Sequence, residues 1–357
     1  MRVVMPFARK DGGGSVVSGA LFAKMLTDLG HEVVVVSPQH GYVCETFSQH
    51  GIDSTVLDIK EGSISEGGAG ELIKNTFRLF SSARRYLKSN SVDVVHINDD
   101  TTLLGWAAAA KLQGIKVVWH VRQGHFGRQD KVRAKLCDAS IAISDYVLQR
   151  TSSLLPSVRI YNPVEFVPEY FIHPEGRPLK LLFVGRPVKY KRVEWALRAL
   201  QGLLNEYGDD SALLQIAGAW SEQQRNGLLA ELPSNVRSQV DFLGHKSNLS
   251  DYYRTADLLL HPALNEAFGR VLIEAQAFSL PVVTTRSGGA KEIVTHRVNG
   301  IAVEPDDEAG YVASVLELTK SPELRQQLAA RAHEGIQNNF SLDACSAQLK
   351  HFYDTHI

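Results

Sequence analysis

A chain of 357 residues is too long for one hydrophobic core, and two domains are the natural expectation. Its 44% hydrophobic and 22% charged residues describe a soluble globular protein and leave out fibrous and disordered classes. A net charge of −1 gives no case for nucleic acid, and three scattered cysteines (Cys44, Cys137, Cys345) make neither a disulfide framework nor a zinc spacing.

The N-terminus enters a strand-like Val3-Val4-Met5 with no leader pattern, and no stretch approaches the roughly 20 apolar residues of a membrane span. A cytoplasmic protein is therefore expected. Charge is uneven, however: residues 77–160 hold thirteen Lys/Arg against six Asp/Glu, which suits an anionic partner or a solvated basic rim.

Residues 2–7 read as a buried strand, followed by a Gly-rich turn that includes Gly13 and Gly14, a helix to Leu29 and a strand at Val33–Val36. This is the opening of a Rossmann-type half. The glycines allow backbone amides to approach a phosphate or sugar. Val17 stands where a G-x-G-x-x-G would need glycine, and no acid follows the second strand, so a nicotinamide site is not indicated. Residues 41–70 look loop-like, with a short strand at Val56–Ile59. A helix over 71–88 places Lys74, Arg78, Arg85 and Lys88 beside a stripe of Ile73, Phe77, Phe80, Ala83 and Leu87. Such a face suits either packing on the sheet or peripheral contact with an anionic membrane.

Asp93–Ile97 and Val117–His120 read as strands, and Thr101–Gln113 as an Ala-rich helix between them. His96, Asn98, Asp99 and Asp100 end the first strand. His120, Arg122, His125 and Arg128 crowd the segment after the second, where open α/β sheets bind ligands. Strands at Asp138–Ile143 and Ser157–Tyr161 follow, with Ser144 capping a helix. Four prolines between Pro163 and Pro178 mark a linker.

The alternation then restarts. Lys180–Val184 is a strand, and Arg186 and Lys191 stand at the mouth of the next helix, as a diphosphate clamp would. Strands at Leu213–Ala217, Gln239–Leu243, Asp257–Pro262, Pro281–Thr284 and Gly300–Val303 complete a second α/β unit. Between the last three lies the densest chemistry: Glu266 and Glu274, eight positions apart, flank the start of an apolar helix. A helix N-terminus attracts phosphate, and carboxylates beside it suit sugar or ribose hydroxyls.

Glu266-x7-Glu274, Leu280-Pro281-Val282-Val283, Gly288-Gly289, Glu292-Ile293-Val294 and Asn299-Gly300, together with Gly185-Arg186 and Lys191, resemble the retaining GT-B glycosyltransferases of family 4. Gly12–Gly14, Asp93-Val94-Val95-His96 and Tyr161-Asn162-Pro163 extend the resemblance over nearly the whole chain. It implies an α/β fold of two Rossmann-like domains facing each other across a deep cleft. Residues 1–163 would form the acceptor-side domain, 164–178 the linker, and 179–340 the nucleotide-sugar domain. The helix over 341–357 would pack back on the first domain.

The same resemblance implies residue roles. Arg186 and Lys191 would hold the donor diphosphate, with backbone from Phe268, Gly269, Arg270 and Val271. Glu274 would bind the ribose, and Glu266 would face the donor hexose. His120 would lie near that sugar, Gly13 and Gly14 would approach the diphosphate, and Leu243, Gly244 and His245 would line the base. Ser279, where the family has a helix-ending glycine, suggests a differently built turn, and Ala267 replaces a common glycine. The implied reaction moves a hexosyl unit from a UDP- or GDP-sugar to a glycan, lipid-linked or lipopolysaccharide-type acceptor, with retention. No metal and no resident cofactor is expected: the sequence lacks Asp-x-Asp, and cationic residues can stabilise the leaving diphosphate. A GT-B-shaped epimerase or phosphorylase, and a non-catalytic nucleotide-sugar-binding protein, are the alternatives.

Overall fold

The computed structural model describes residues 1–8, 13–57, 69–125, 127–165 and 178–357, with the side chains of 69–74 excepted. Contacts divide the chain into two units, Met1–Pro163 with Ser341–Ile357, and Val164–Phe340. Most of the predicted linker, 166–177, lies outside the described residues, as do Lys10 to Gly12 and the Ile59 end of the predicted strand.

The first unit is built on seven strands: β1 (Arg2–Pro6), β2 (Glu32–Ser37), β3 (Asp53–Val56), β4 (Val94–Ile97), β5 (Lys116–Val121), β6 (Ala139–Ala142) and β7 (Ser157–Arg159). They run parallel in the order β3-β2-β1-β4-β5-β6-β7. Parallel strands need crossovers that cover both faces, so the central ones carry unbroken apolar runs; Val3, Val4, Val94, Val95, Val117 and Val118 are fully buried. Its helices are α1 (Gly14–Asp28), α2 (Tyr42–Ser48), α3 (Ala69–Ser89), α4 (Asp100–Lys111), α5 (Asp130–Lys135) and α6 (Asp145–Leu148). α2 occupies a stretch that reads as loop, and the strand expected at Val56–Ile59 ends at Val56 instead.

α3 lays its apolar side on α4 rather than on the sheet: Tyr86 meets Trp106 edge-on, and a Cβ at Gly105 would stand 2.7 Å from Leu79. Phe77 stays 67% exposed beside the exposed Arg78, while Arg85 and Lys88 also face solvent.

Part of the basic excess of 77–160 is interior. Arg150, 4% exposed, donates to Asp130 at 2.7 and 2.8 Å, to Asp100 at 2.9 Å and to the Gln123 carbonyl at 3.1 Å, and lies over the Trp119 ring. Arg133 joins Asp130 at 3.0 Å. Burial would raise the Asp130 carboxyl, but hydrogen bonds from Arg150 and the Gly127 amide hold it below its ordinary value.

The second unit has six parallel strands: β8 (Leu179–Val184), β9 (Ala212–Ala217), β10 (Val240–Gly244), β11 (Leu258–His261), β12 (Val282–Thr285) and β13 (Ile301–Val303), ordered β10-β9-β8-β11-β12-β13. Its helices are α7 (Val193–Tyr207), α8 (Glu222–Leu229), α9 (Ser234–Ser238), α10 (Ser250–Thr255), α11 (Arg270–Ala277), α12 (Ala290–Ile293), α13 (Glu308–Lys320) and α14 (Pro322–Asn339). The turn ending α11 is built as a glycine would build it. Ser279 takes φ 56, its amide donates to Gln276, and the Leu280 amide reaches back to Ala275. The expectation of a different turn is corrected: serine adopts the left-handed conformation itself, with its hydroxyl 3.3 Å from His333.

The last helix, α15 (Leu342–His356), belongs to the first unit, where Cys345, Leu349, Phe352 and Tyr353 join Phe22, Met25 and Leu26 in one core. In each sheet the first strand and the strand that reverses the order, β1 with β4 and β8 with β11, are neighbours. The crevice at their carboxyl ends is where such sheets bind ligands.

Asp130→Ala leaves Arg150 buried with part of its charge uncompensated, and should cost about 3 kcal/mol. Urea unfolding checks this; a change below about 1 kcal/mol would show that the cluster is not supporting the first unit.

Candidate active site

At the switch point of the second unit, the segment after β11 carries Glu266 and that after β8 carries Arg186 and Lys191. Lys191 closes a 3₁₀ turn, Lys189–Lys191, whose backbone continues through Arg192 at φ 51 into α7. Its ammonium forms a close ion pair with Glu266 Oε2, the side chains being 13% and 19% exposed. His261, the last residue of β11 and 2% exposed, brings Nε2 within 3.7 Å of the same oxygen. Burial alone would raise the Glu266 carboxyl; the Lys191 charge chiefly outweighs it and brings the value down from 4.5 to about 2. His261 itself is lowered, chiefly by burial, so its ring is neutral at pH 7.

The backbone around Glu266 is held by the loop after β12. Asn265 adopts φ 50, and its amide donates to the Ser287 hydroxyl at 2.8 Å. The Gly289 amide donates to the Glu266 carbonyl at 2.7 Å. A Cβ on Gly288 would stand 2.2 Å from that carbonyl oxygen. The glycine pair thus serves the close approach of two loops.

α11 follows its N-cap residue Gly269, φ 106, with no side-chain cap and no acidic residue in its first turn, so its N-terminus suits an anion. Phe268 is buried and supports this turn, while Arg270 and Glu274 pair along the helix at 2.6 Å. The other Glu274 oxygen accepts from the Tyr253 hydroxyl at 2.9 Å. Arg186 is exposed, as is His245, and Leu243 is half-buried at the end of β10 beside Gly244, φ 71. Gly218 belongs to no motif legible in the sequence, yet a Cβ there would meet the Gly185 carbonyl at 2.1 Å, so the ends of β8 and β9 can meet only with glycine. The structure therefore brings Lys191, Glu266 and His261 together, with Arg270 and Glu274 as a second pair on α11.

The first unit gathers different groups at its carboxyl edge. Arg122 donates to Asn98 and, at 2.6 Å, to Asn162, and its guanidinium reaches His120 Nδ1 at 3.5 Å. His120 is fully buried in β5, edge-on to Phe22 and 3.0 Å from His96, whose other nitrogen meets the Tyr353 hydroxyl at 2.7 Å. Burial, then the Arg122 charge, lowers His96 to about 3 and His120 well below its ordinary value. His120 thus offers no surface to a sugar. Its expected place near one is corrected: its ring faces inward, and Arg122, two residues on, is the half-buried cation beyond the strand. His125 and Arg128 are exposed. Gly13 and Gly14 are exposed at the uncapped start of α1. Among the described residues, no three His, Cys, Asp or Glu side chains are placed to hold a metal ion, and no helix is long and apolar enough to cross a membrane.

Two family profiles match in succession: "Glycosyltransferase Family 4" over residues 12–166 and "Glycosyl transferases group 1" over residues 171–335. The chain belongs to the GT-B, family 4-type glycosyltransferases. An uncharacterized glycosyltransferase of Methanocaldococcus jannaschii is 31% identical over 176 residues, 48% of this chain. N-acetyl-alpha-D-glucosaminyl L-malate synthase of Bacillus anthracis is 28% identical over 173 residues, again 48% of this chain. The match spans 44% of each of these two proteins, less than half their length. In fold, the chain is similar to Anabaena HepE, solved with UDP and glucose: TM-score 0.81 at 19% identity, over 99% of this chain and 100% of that one.

Because Glu266 lies below its ordinary value in the folded chain, its contribution to stability is fully present above about pH 4.5 and is lost as pH falls through about 2. Lys191→Met combined with His261→Gln, which leaves no cation at the carboxylate, should move the Glu266 carboxyl upward from about 2, read by carbon-13 titration. An unchanged titration would rule out these two residues as its cause.

Proposed function

We propose that the chain is a retaining glycosyltransferase that moves a hexosyl unit from a UDP- or GDP-sugar, without a metal, to a glycan, lipid-linked or lipopolysaccharide-type acceptor. The observation that carries this reading is the Lys191–Glu266 pair beside the uncapped N-terminus of α11, in a chain whose two halves both match glycosyltransferase profiles. Lys191 and exposed Arg186 offer cations to a diphosphate, and the amides at the start of α11 add partial positive charge. Charge gathering on the departing diphosphate would meet these groups already in place. Glu266 then faces hexose hydroxyls, and Glu274, accepting from Tyr253 and Arg270, keeps acceptor capacity for a ribose hydroxyl. The departing phosphate oxygen can take the acceptor's proton on the same face, so retention needs no enzymic nucleophile.

Phe77 beside Arg78, with Arg85 and Lys88 on the same helix, suits peripheral contact with an anionic membrane at which a lipid-linked acceptor resides. That HepE is solved with UDP-glucose supports a nucleotide-sugar donor here.

A thermal-shift panel of UDP-, GDP- and ADP-sugars tests the reading, since a ligand of the native state raises the midpoint. Against the sugar that binds, Lys191→Ala should weaken affinity by about 1.5–3 kcal/mol, the scale of a charge-assisted contact. Calorimetry showing undiminished affinity would overturn the clamp. Transfer should persist in excess chelator; loss restored by Mg²⁺ would overturn the metal-free reading. Charge reversal at Arg78, Arg85 and Lys88 should reduce co-sedimentation with anionic vesicles, and an unchanged bound fraction would count against membrane contact.

A further inference from the structure

We propose that His261 is a positioning residue for Glu266: when Lys191 turns to a donor diphosphate, His261 takes up a proton and becomes the carboxylate's partner. That a donor diphosphate draws Lys191 away rests on the nucleotide-sugar reading; that His261 replaces it rests on geometry.

Lys191 Nζ and His261 Nε2 converge on one atom, Glu266 Oε2, the first from the segment after β8 and the second from the last residue of β11. The ring is fixed from behind. Its Nδ1 lies 3.1 Å from the Thr284 hydroxyl, and that hydroxyl lies 2.9 Å from the carbonyl of His261 itself. Thr284 has one hydroxyl hydrogen. Given to the carbonyl, it makes Thr284 an acceptor for Nδ1–H and leaves a bare lone pair on Nε2, facing the carboxylate. Nε2 is buried and makes no hydrogen bond in the structure.

Among the described residues, charged and titratable groups facing the ring are Glu266, Lys191 and Tyr311, whose hydroxyl donates to the Val283 carbonyl close to that of His261. Tyr311 is kept neutral by burial. Burial is the largest influence holding the ring neutral; against that constant background, Glu266 attracts a positive charge on the ring and Lys191 repels one.

Withdrawal of the ammonium removes the repulsion and leaves the carboxylate without its cation. Both changes favour a proton on Nε2. One proton moves from solvent to Nε2, an N–H bond forms, and no other covalent bond changes. Glu266 stays ionised and in place, and Thr284 keeps the ring aimed at it. Donor affinity should accordingly rise as pH falls, by at most about tenfold per pH unit, between the free and the donor-bound value of His261.

Two measurements test this. In the first, the His261 ring resonances, assigned by comparison with His261→Gln, are titrated in the wild type and in Lys191→Met, with Lys191→Gln as the substitute should the methionine variant not fold. The expected result is a His261 value that is higher without the lysine. An identical titration overturns the proposal. In the second, UDP-glucose binding is followed by calorimetry in buffers of different ionisation enthalpy. Its diphosphate is a diester that does not titrate near pH 7, so protons taken up belong to the protein. Uptake approaching one proton in the wild type and none in His261→Gln is expected. Binding without uptake overturns the handover even where the first measurement succeeds. If UDP-glucose and GDP-mannose both fail to bind while the titration shifts, the donor reading falls and the handover with it, leaving only a coupling of His261 to Lys191.

Discussion

A carboxylate withdrawn from water stays ionised only while a cation or a hydrogen-bond donor faces it, and for Glu266 that cation is the Lys191 ammonium. The local architecture answers that requirement. Asn265 turns through a left-handed conformation, and Gly288 and Gly289 bring their loop against the backbone of Glu266. The 3₁₀ turn before α7 delivers the ammonium. These parts belong to three separate strand-to-helix connections, so the arrangement is built into the unit.

The two units share a strand order but solve the same electrostatic problem differently. In the second, charges meet charges: Lys191 with Glu266, Arg270 with Glu274. In the first, Arg122 is held by the amide oxygens of Asn98 and Asn162 over two neutral histidines, while the ion pairs of Arg150 lie deeper, against Trp119.

Much of the architecture was legible because parallel strands buried on both faces appear as unbroken apolar runs: Val33–Val36 and Leu258–Leu260 announce β2 and β11 directly. Lys191, Glu266 and Glu274 were legible as well, since their types and spacing imply a mouth of positive and negative groups. What escaped was set by contacts distant in sequence. α2 spans only seven residues and carries little periodicity. His120 reads as a strand-end residue, and only its contacts with His96, with Phe22 on α1 and, through His96, with Tyr353 on the last helix show that its ring is enclosed. Arg150 reads as a surface cation until Asp100 and Asp130 are placed around it. His261 carried no signal of its own, because a histidine at a strand end acquires meaning only from the carboxylate that folds over it. At Ser279 a rule of residue preference gave way: the turn that ends α11 imposes its backbone on whichever residue stands there.

The return of α15 to the first unit has a consequence for the order in which the protein can be made. Val164–Phe340 is one continuous segment, complete in its sheet before α15 is translated. The first unit, though earlier in the chain, lacks Leu349, Phe352 and Tyr353 from its core until the final helix is synthesised. Its α1 surface and the His96 ring must wait, partly uncovered, while the later unit emerges and folds. On the ribosome, therefore, the half that begins the chain is the half that finishes second.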